Sequence, residues 1–232
     1  MPECRIATWN VLHWVHARNH SEDLSRFSTE EERARAVVDR VIHMDAEATC
    51  LQEVSGDTLE LITATFGRER VHSFQLPRVP ELKAGASVLR DSSENLVIIT
   101  AGIKVHAQAF TDDDGKGFIA VRCRGDTLIV NTHISGDPKY SLLQLKGLDN
   151  WISSQPGPAT LCGDFNADVS TTLDSLRPGW DAARIRSALT VSRPKSNQLI
   201  DHILHWNRPE PAVASVEDAG GISDHNLVIS RD

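Results

Sequence analysis

Apolar residues in this chain come in short runs, and several of those runs end on an acid, an amide or an imidazole. Arg5 to Trp9 reads as a short strand, and residues 10–27 follow as a polar, His-rich segment without period, an irregular lid. Ser28 with Glu31 three positions later has the form of a capping box, opening a helix from about 29 to 43 with Val37, Val38, Val41 and Ile42 at helical spacing. Ala46 to Gln52 is a buried-type strand that stops at Glu53, and Ser55 caps a second helix carrying Leu59, Ile62 and Phe66 on one face. Strand-like runs follow near 71–76, 86–90, 95–100 and 103–110, and 118–124 and 127–134 flank Gly125-Asp126 as a hairpin. Leu142, Leu143, Leu145, Leu148, Trp151 and Ile152 make an amphipathic helix that Pro156-Gly157-Pro158 stops. Ala159 to Gly163 is a strand delivering Asp164; after a patternless stretch at 170–195, Gln198 to Trp206, Ala212 to Val216 and Asn226 to Ser230 are three closing strands.

Many antiparallel-looking strands separated by a few helices predict an α/β sandwich: two packed sheets with helices outside and a site along one edge. The candidate residues run from 10 to 225 with no repeat or low-complexity break, so one domain over 1–232 is expected.

Composition narrows the setting. With 40% hydrophobic and 24% charged residues the chain has the make-up of an ordinary globular protein. No run of about 18 apolar residues occurs, and no charged-then-apolar leader follows Pro2, so no membrane contact and a cytoplasmic location are expected; a monomer is the expected state. Cys4, Cys50, Cys123 and Cys162 form no Cys-x-x-Cys pair and mostly sit in apolar runs, as buried reduced thiols do. Twenty-four basic against thirty-two acidic residues give a net charge of −8. Such a field repels a long duplex and suits a short, end-on or small phosphorylated substrate.

The run-ending residues suit one divalent cation beside one scissile phosphate. Glu53 offers the hard carboxylate oxygens that Mg²⁺ or Mn²⁺ prefers, and Asn10 and Asp224 can complete its inner or water-mediated shell. Asp164 and Asn166, two apart, point the same way on an extended segment, one to take a proton from water and the other to hold that water. His225 can serve as acid, base or phosphate-oxygen donor with Asp201 fixing its tautomer, and His133 is a second imidazole for a non-bridging oxygen or the leaving group. Each piece alone is a common turn or cap; their joint order carries the reading.

That order, Thr-Trp-Asn10, Leu-Gln-Glu53, Asn-Thr-His133, Gly-Asp164-Phe-Asn166 and Ser-Asp224-His225, resembles the endonuclease/exonuclease/phosphatase superfamily over essentially the whole chain. The resemblance matches Asn10 to the family's amide after the first strand, Glu53 to its metal-binding glutamate, and His133, Asp164, Asn166, Asp224 and His225 to their counterparts, with Asp201 as the histidine's partner. It implies a four-layer, DNase I-like sandwich and Mg²⁺- or Mn²⁺-dependent in-line attack of water on a phosphoester of nucleic acid or a nucleotide. A phosphatase for a terminal, cyclic or sugar-linked phosphate is the alternative within the same chemistry, and a non-catalytic binding module on this scaffold the alternative of a different class. The upstream catalytic tyrosine of abasic-site endonucleases has no counterpart, since Tyr140 lies after His133. The stretch from His133 to Ser141, followed by Gln144, is similar to the deadenylase and Angel-type branch and tilts the expected substrate towards RNA.

Other features compete for attention. His13, His16 and His20 have the spacing of one helix face and so of a zinc site, yet nothing completes the ligand set, and a substrate-facing lid is preferred. Asp112-Asp113-Asp114-Gly115-Lys116-Gly117 lacks the rest of an EF-hand and the spacing of a P-loop, and reads as a solvated hairpin turn. Trp14 and Trp180, in polar surroundings, are better base-stacking candidates than Trp206, and Lys83 and Arg90 are candidate phosphate grips.

Overall fold

A computed structural model describes residues 5–123, 125–207 and 212–231. The first half contains β1 (Ile6–Asn10), α1 (Trp14–His20), α2 (Glu30–Met44), β2 (Ala48–Ser55), α3 (Gly56–Phe66), β3 (Val71–Gln75) and β4 (Glu94–Ile99). The middle adds β5 (Gly102–Phe110), β6 (Asp113–Cys123), β7 (Leu128–His133), α4 (Pro138–Ser153) and β8 (Ala159–Asp164). The last third holds α5 (Val169–Asp174), β9 (Trp180–Ala182), β10 (Arg184–Ile185), β11 (Asp201–Trp206), β12 (Val213–Glu217) and β13 (Leu227–Arg231). One mixed sheet runs β10-β12-β13-β1-β2-β4-β3 and the other β5-β6-β7-β8-β11-β9.

Alternation explains the four layers. On β1, Ala7 and Trp9 face outward to pack under Val37, Val38 and Val41 of α2 and Ile62 of α3. Ile6 faces inward, joining Cys50, Leu96 and Ile98 against Ile119, Ile129, Cys162 and Ile203 of the second sheet. Leu145, Leu148 and Ile152 of α4 cover that sheet's other side over Phe118, Val130 and Leu161. Each large side chain so buried stabilises the fold by about 1.5–3 kcal/mol. The arrangement is the two-sheet α/β sandwich of the DNase I-like type.

Connectivity brings the candidate residues to one edge. β1 and β2 are parallel, so their C-terminal ends carry Asn10 and Glu53 to the same side. β7 and β8 are also parallel, with His133 opposite Asp164. β11 runs antiparallel to β8 and starts at that edge, placing Asp201 opposite Asp164. β13 is antiparallel to β1, so Asp224 and His225 arrive just before it begins. The first and last strands are stitched together here: the Trp9 indole donates to the His225 carbonyl at 2.9 Å and the Ser223 hydroxyl to the Asn10 carbonyl at 2.7 Å. Gly163 permits the approach of β8 to β7, because a Cβ there would stand 2.0 Å from the Thr132 carbonyl oxygen.

Several local expectations are corrected. Residues 10–27 contain a helix, α1, whose start is capped by the His13 imidazole accepting from the Val15 amide at 3.2 Å. The α2 cap is Thr29, accepting from the Glu32 amide, one position beyond Ser28. Residues 86–90 form no strand. Leu142 and Leu143 lie on the outer face of α4, where Gln144 and Asp149 are buried in their place. Cys50 and Cys162 are buried between the sheets and Cys123 is half-buried, while Cys4 lies outside the described residues. Among the described residues no helix is long and apolar enough to cross a membrane.

Candidate active site

The edge where the strands converge opens as a cleft of about 190 Å³, and Glu53, His133, Asp164, Asn166, Asp224 and His225 all line it. Asn10 sits behind, its amide nitrogen donating to Glu53 Oε1 and to Asp164 Oδ2, each at 3.0 Å, while its oxygen accepts from the Leu12 amide. Asn10 therefore cross-links two carboxylates from different sheets. Asp201 lies deeper, with its Oδ2 2.8 Å from His225 Nδ1. His133 Nε2 is 3.4 Å from Asp164 Oδ2 and 4.0 Å from Glu53 Oε1, and His225 Nε2 is 4.0 Å from the same Asp164 oxygen. All eight residues singled out from the sequence are thus brought together.

Backbone irregularity aims these groups. β2 shifts register against β4 between Leu51 and Val54, and Glu53 adopts φ 57°, a left-handed conformation uncommon for glutamate. The bulge turns the Glu53 carboxylate to the cleft, where Oε2 accepts from the His13 amide at 3.0 Å. Leu12 (φ 60°) and Asn166 (φ 50°) are left-handed too, so strained backbone gathers around the cleft. Asn131 of β7 supports the bulge from the opposite sheet, donating to the carbonyls of Leu51 and Val97 at 2.8 and 2.9 Å and accepting from Gln52 at 2.6 Å.

Electrostatics divide the titratable groups. Burial opposes ionisation of Glu53, but the charges of His16, His133 and Lys116 and the Asn10 bond more than offset it and hold the carboxyl below the usual range. Burial and the Asp201 charge raise Asp164. Burial raises Asp224 as well, with Glu53 adding to it. The imidazole of His225 would be lowered by burial, yet the charge and hydrogen bond of Asp201, with Asp164 and Asp224 nearby, push it up to about 10. His133 goes the other way: burial, then the charge of Lys116, hold it well below 6.5. His225 and His133 therefore carry different charge at neutral pH.

Sequence reasoning missed much of the lining. Lys116, placed in a solvated turn from the sequence, enters the cleft from the start of β6 and reaches His133 Nε2. Arg78 and Arg193 line the same cleft, Arg193 lying 3.3 Å from Asp224 Oδ2. Glu94, fully buried, binds His16 Nε2 at 2.8 Å. Of the three spaced histidines, His13 is buried as a cap, while His16 and His20 line the cleft. Arg90 pairs with Glu60 at 2.7 Å in a separate cleft, and Lys83 binds Asn19 through its backbone amide, so neither lies at the site. Trp180 is core, its indole donating to Asp149 at 2.8 Å, and Trp206 packs against it. Gln144 joins the Ser135 amide to Asp112, steadying the loop after His133.

The donor set fits a hard divalent cation. Asp224 Oδ1 is buried without a hydrogen-bond partner, and the ionised Glu53 is its neighbour in the cleft. Asp164, Asp201 and His225 also bring three ligand atoms within 4.8 Å of one another, but the His225–Asp201 bond already engages two of them.

No curated protein sequence matches the chain. In fold it is similar to the human Nocturnin catalytic domain solved with a bound sulfate anion, at TM-score 0.70 and 17% identity over 99% of this chain and 93% of that one. D. rerio TDP2 complexed with a single strand DNA product aligns at TM-score 0.67 and 13% identity, over 99% and 98% of the two chains. The endonuclease/exonuclease/phosphatase from Bacteroides vulgatus aligns at TM-score 0.72 and 14% identity, over 100% and 98%. At such identities the likeness is one of fold. A family model matches residues 7–225, from β1 to the cleft histidine, and by that match the chain belongs to the Endonuclease/Exonuclease/phosphatase family.

Proposed function

We propose that the chain is a divalent-metal-dependent phosphodiesterase that hydrolyses a phosphoester of a nucleic-acid end or a nucleotide. One observation carries the reading: the Asp164 carboxylate is held by Asn10, between the imidazoles of His133 and His225 and beside Glu53, in a single cleft. Glu53 and Asp224 would hold Mg²⁺ or Mn²⁺, with Asn10 orienting Glu53. A cation there supplies positive charge against the phosphoryl oxygens.

The chain's own groups do the rest. Asp164, raised by burial, takes a proton from the attacking water as its oxygen bonds to phosphorus and the ester P–O bond breaks. Asn166 donates to the Ile134 carbonyl at 3.0 Å, leaving its Oδ1 to accept from that water. His225, kept protonated by Asp201, donates to a phosphoryl oxygen. Residues from both ends of the chain enter this scheme, so we treat 1–232 as one catalytic unit.

The net charge of −8 and a cleft of about 190 Å³ favour a short or end-on strand. The single strand DNA bound by the TDP2 neighbour and the sulfate on Nocturnin accord with a nucleic-acid or phosphate ligand here, and the stretch after His133 favours RNA. Arg78, Lys116 and Arg193 around the cleft give some weight to the phosphatase alternative, since a terminal phosphate brings a second charge. The test is turnover of bis-p-nitrophenyl phosphate and of short DNA and RNA oligomers with Mg²⁺ or Mn²⁺, abolished by EDTA. Release of inorganic phosphate without chain cleavage selects the phosphatase; no metal-dependent turnover of any ester rejects the enzyme.

A further inference from the structure

Lys116 is the one cleft lysine or arginine whose charge meets no carboxylate within ion-pair distance among the described residues. Arg78 faces Asp113 at 3.6 Å and Arg193 faces Asp224 at 3.3 Å. The Lys116 ammonium instead reaches the Nε2 of His133. An ammonium has three donors and no acceptor, so in this contact the imidazole nitrogen must accept. The His133 proton then belongs on Nδ1, which is buried without a partner 3.9 Å from Glu94 Oε1, an oxygen equally without one. The donor side of His133 is turned into the protein, and its cleft side is occupied.

We propose that Lys116, and not His133, donates to the phosphoryl oxygen on this side of the cleft, with His133 as the positioning residue that holds the ammonium. The assignment rests on the phosphoester reading of the site. Two N–H donors of Lys116 remain after the bond to His133, and a non-bridging oxygen supplies the missing counter-charge. Gly117, next to Lys116, packs so closely on β5 that a Cβ there would stand 2.5 Å from the Gln108 carbonyl oxygen, which fixes the backbone from which Lys116 projects. The same His133 Nε2 that meets the ammonium lies 3.4 Å from Oδ2 of Asp164, the proposed base.

The test compares wild type with Lys116→Met and Lys116→Arg in the full chain. Lys116→Met is expected to lower kcat on bis-p-nitrophenyl phosphate and on an oligonucleotide alike by roughly 10²–10³-fold, the loss typical of one preorganised donor. Lys116→Arg is expected to recover at least about tenfold of that, and circular dichroism and thermal unfolding check that each variant folds. A fall of less than about fivefold in a folded Met variant overturns the assignment. Two readouts on EDTA-treated protein are independent of turnover. In ¹⁵N NMR the wild-type His133 should show protonated Nδ1 and accepting Nε2, a pattern lost in Lys116→Met, and inorganic phosphate should bind the Met variant at least about tenfold more weakly. A wild-type Nε2–H tautomer, or equal phosphate binding, overturns it even if the wild type proves inactive on every ester, a result that would reject the phosphodiesterase reading separately.

Discussion

The imidazole of His225 and the carboxylate of Asp201 meet at 2.8 Å, with 3% and 0% of their side chains exposed. With the folded imidazole at about 10 against its ordinary 6.5, the proton is bound more tightly in the native state. The stabilisation is therefore complete below pH 6.5 and is lost as pH rises through about 10. In EDTA-treated protein, Asp201→Asn should cost about 3 kcal/mol near neutral pH, and the gap from wild type should close towards the alkaline end. Urea midpoints across that range measure it; a gap that does not change with pH would show that the pair is uncharged.

Glu53→Gln keeps the volume of the side chain and one acceptor for the Asn10 amide but removes the charge. Mn²⁺ affinity by calorimetry should weaken, and kcat should fall by roughly 10²-fold or more, with the fold intact. Undiminished ion binding would remove Glu53 as a ligand.

Asn131→Leu removes the donor that bridges the sheets at the β2 bulge. Leaving the buried carbonyls of Leu51 and Val97 and the Gln52 amide short of a partner should cost about 2–4 kcal/mol. Because those carbonyls flank the turn that aims Glu53, turnover should drop even below the unfolding midpoint. A stable Leu variant of full activity would contradict this role.

Arg33, 2% exposed, donates to the carbonyls of Val11, Leu12 and Ile222 and pairs with Glu30 at 2.6 Å. It clamps the chain just after Asn10 to the chain just before His225. Lysine cannot reproduce the planar fork, so Arg33→Lys should destabilise the protein by about 3 kcal/mol, read as a lower denaturant midpoint. A shift under about 0.5 kcal/mol would mark the clamp as dispensable.

How much of this was legible beforehand follows from what is local. Strand ends that stop on Asn10, His133 and Asp164 are written in consecutive residues, and pairing rules carry them to one edge; β2 instead runs on to Ser55, with Glu53 at a bulge inside it. α1 was not legible, because its start depends on the His13 ring folding back to the Val15 amide and on Arg33 holding Leu12 from twenty-one residues away. Residues 86–90 have strand composition but gain no neighbouring strand. Lys116 was hidden by its acidic run: only the pairing of Gly117 with His133 turns that segment from a surface turn into a wall of the cleft. Trp180 was misjudged for the same reason, since the polar group that satisfies its indole is Asp149, buried on α4.

The indole of Trp9 and the hydroxyl of Ser223 fasten the opening strand to the closing one, and Asp224 and His225 ride on that seam. During synthesis the ribosome delivers Asn10 and Glu53 long before it delivers Asp224 and His225, and β13, which sits between β12 and β1, comes last of all the strands. The candidate site can therefore be completed only once the whole chain has been made.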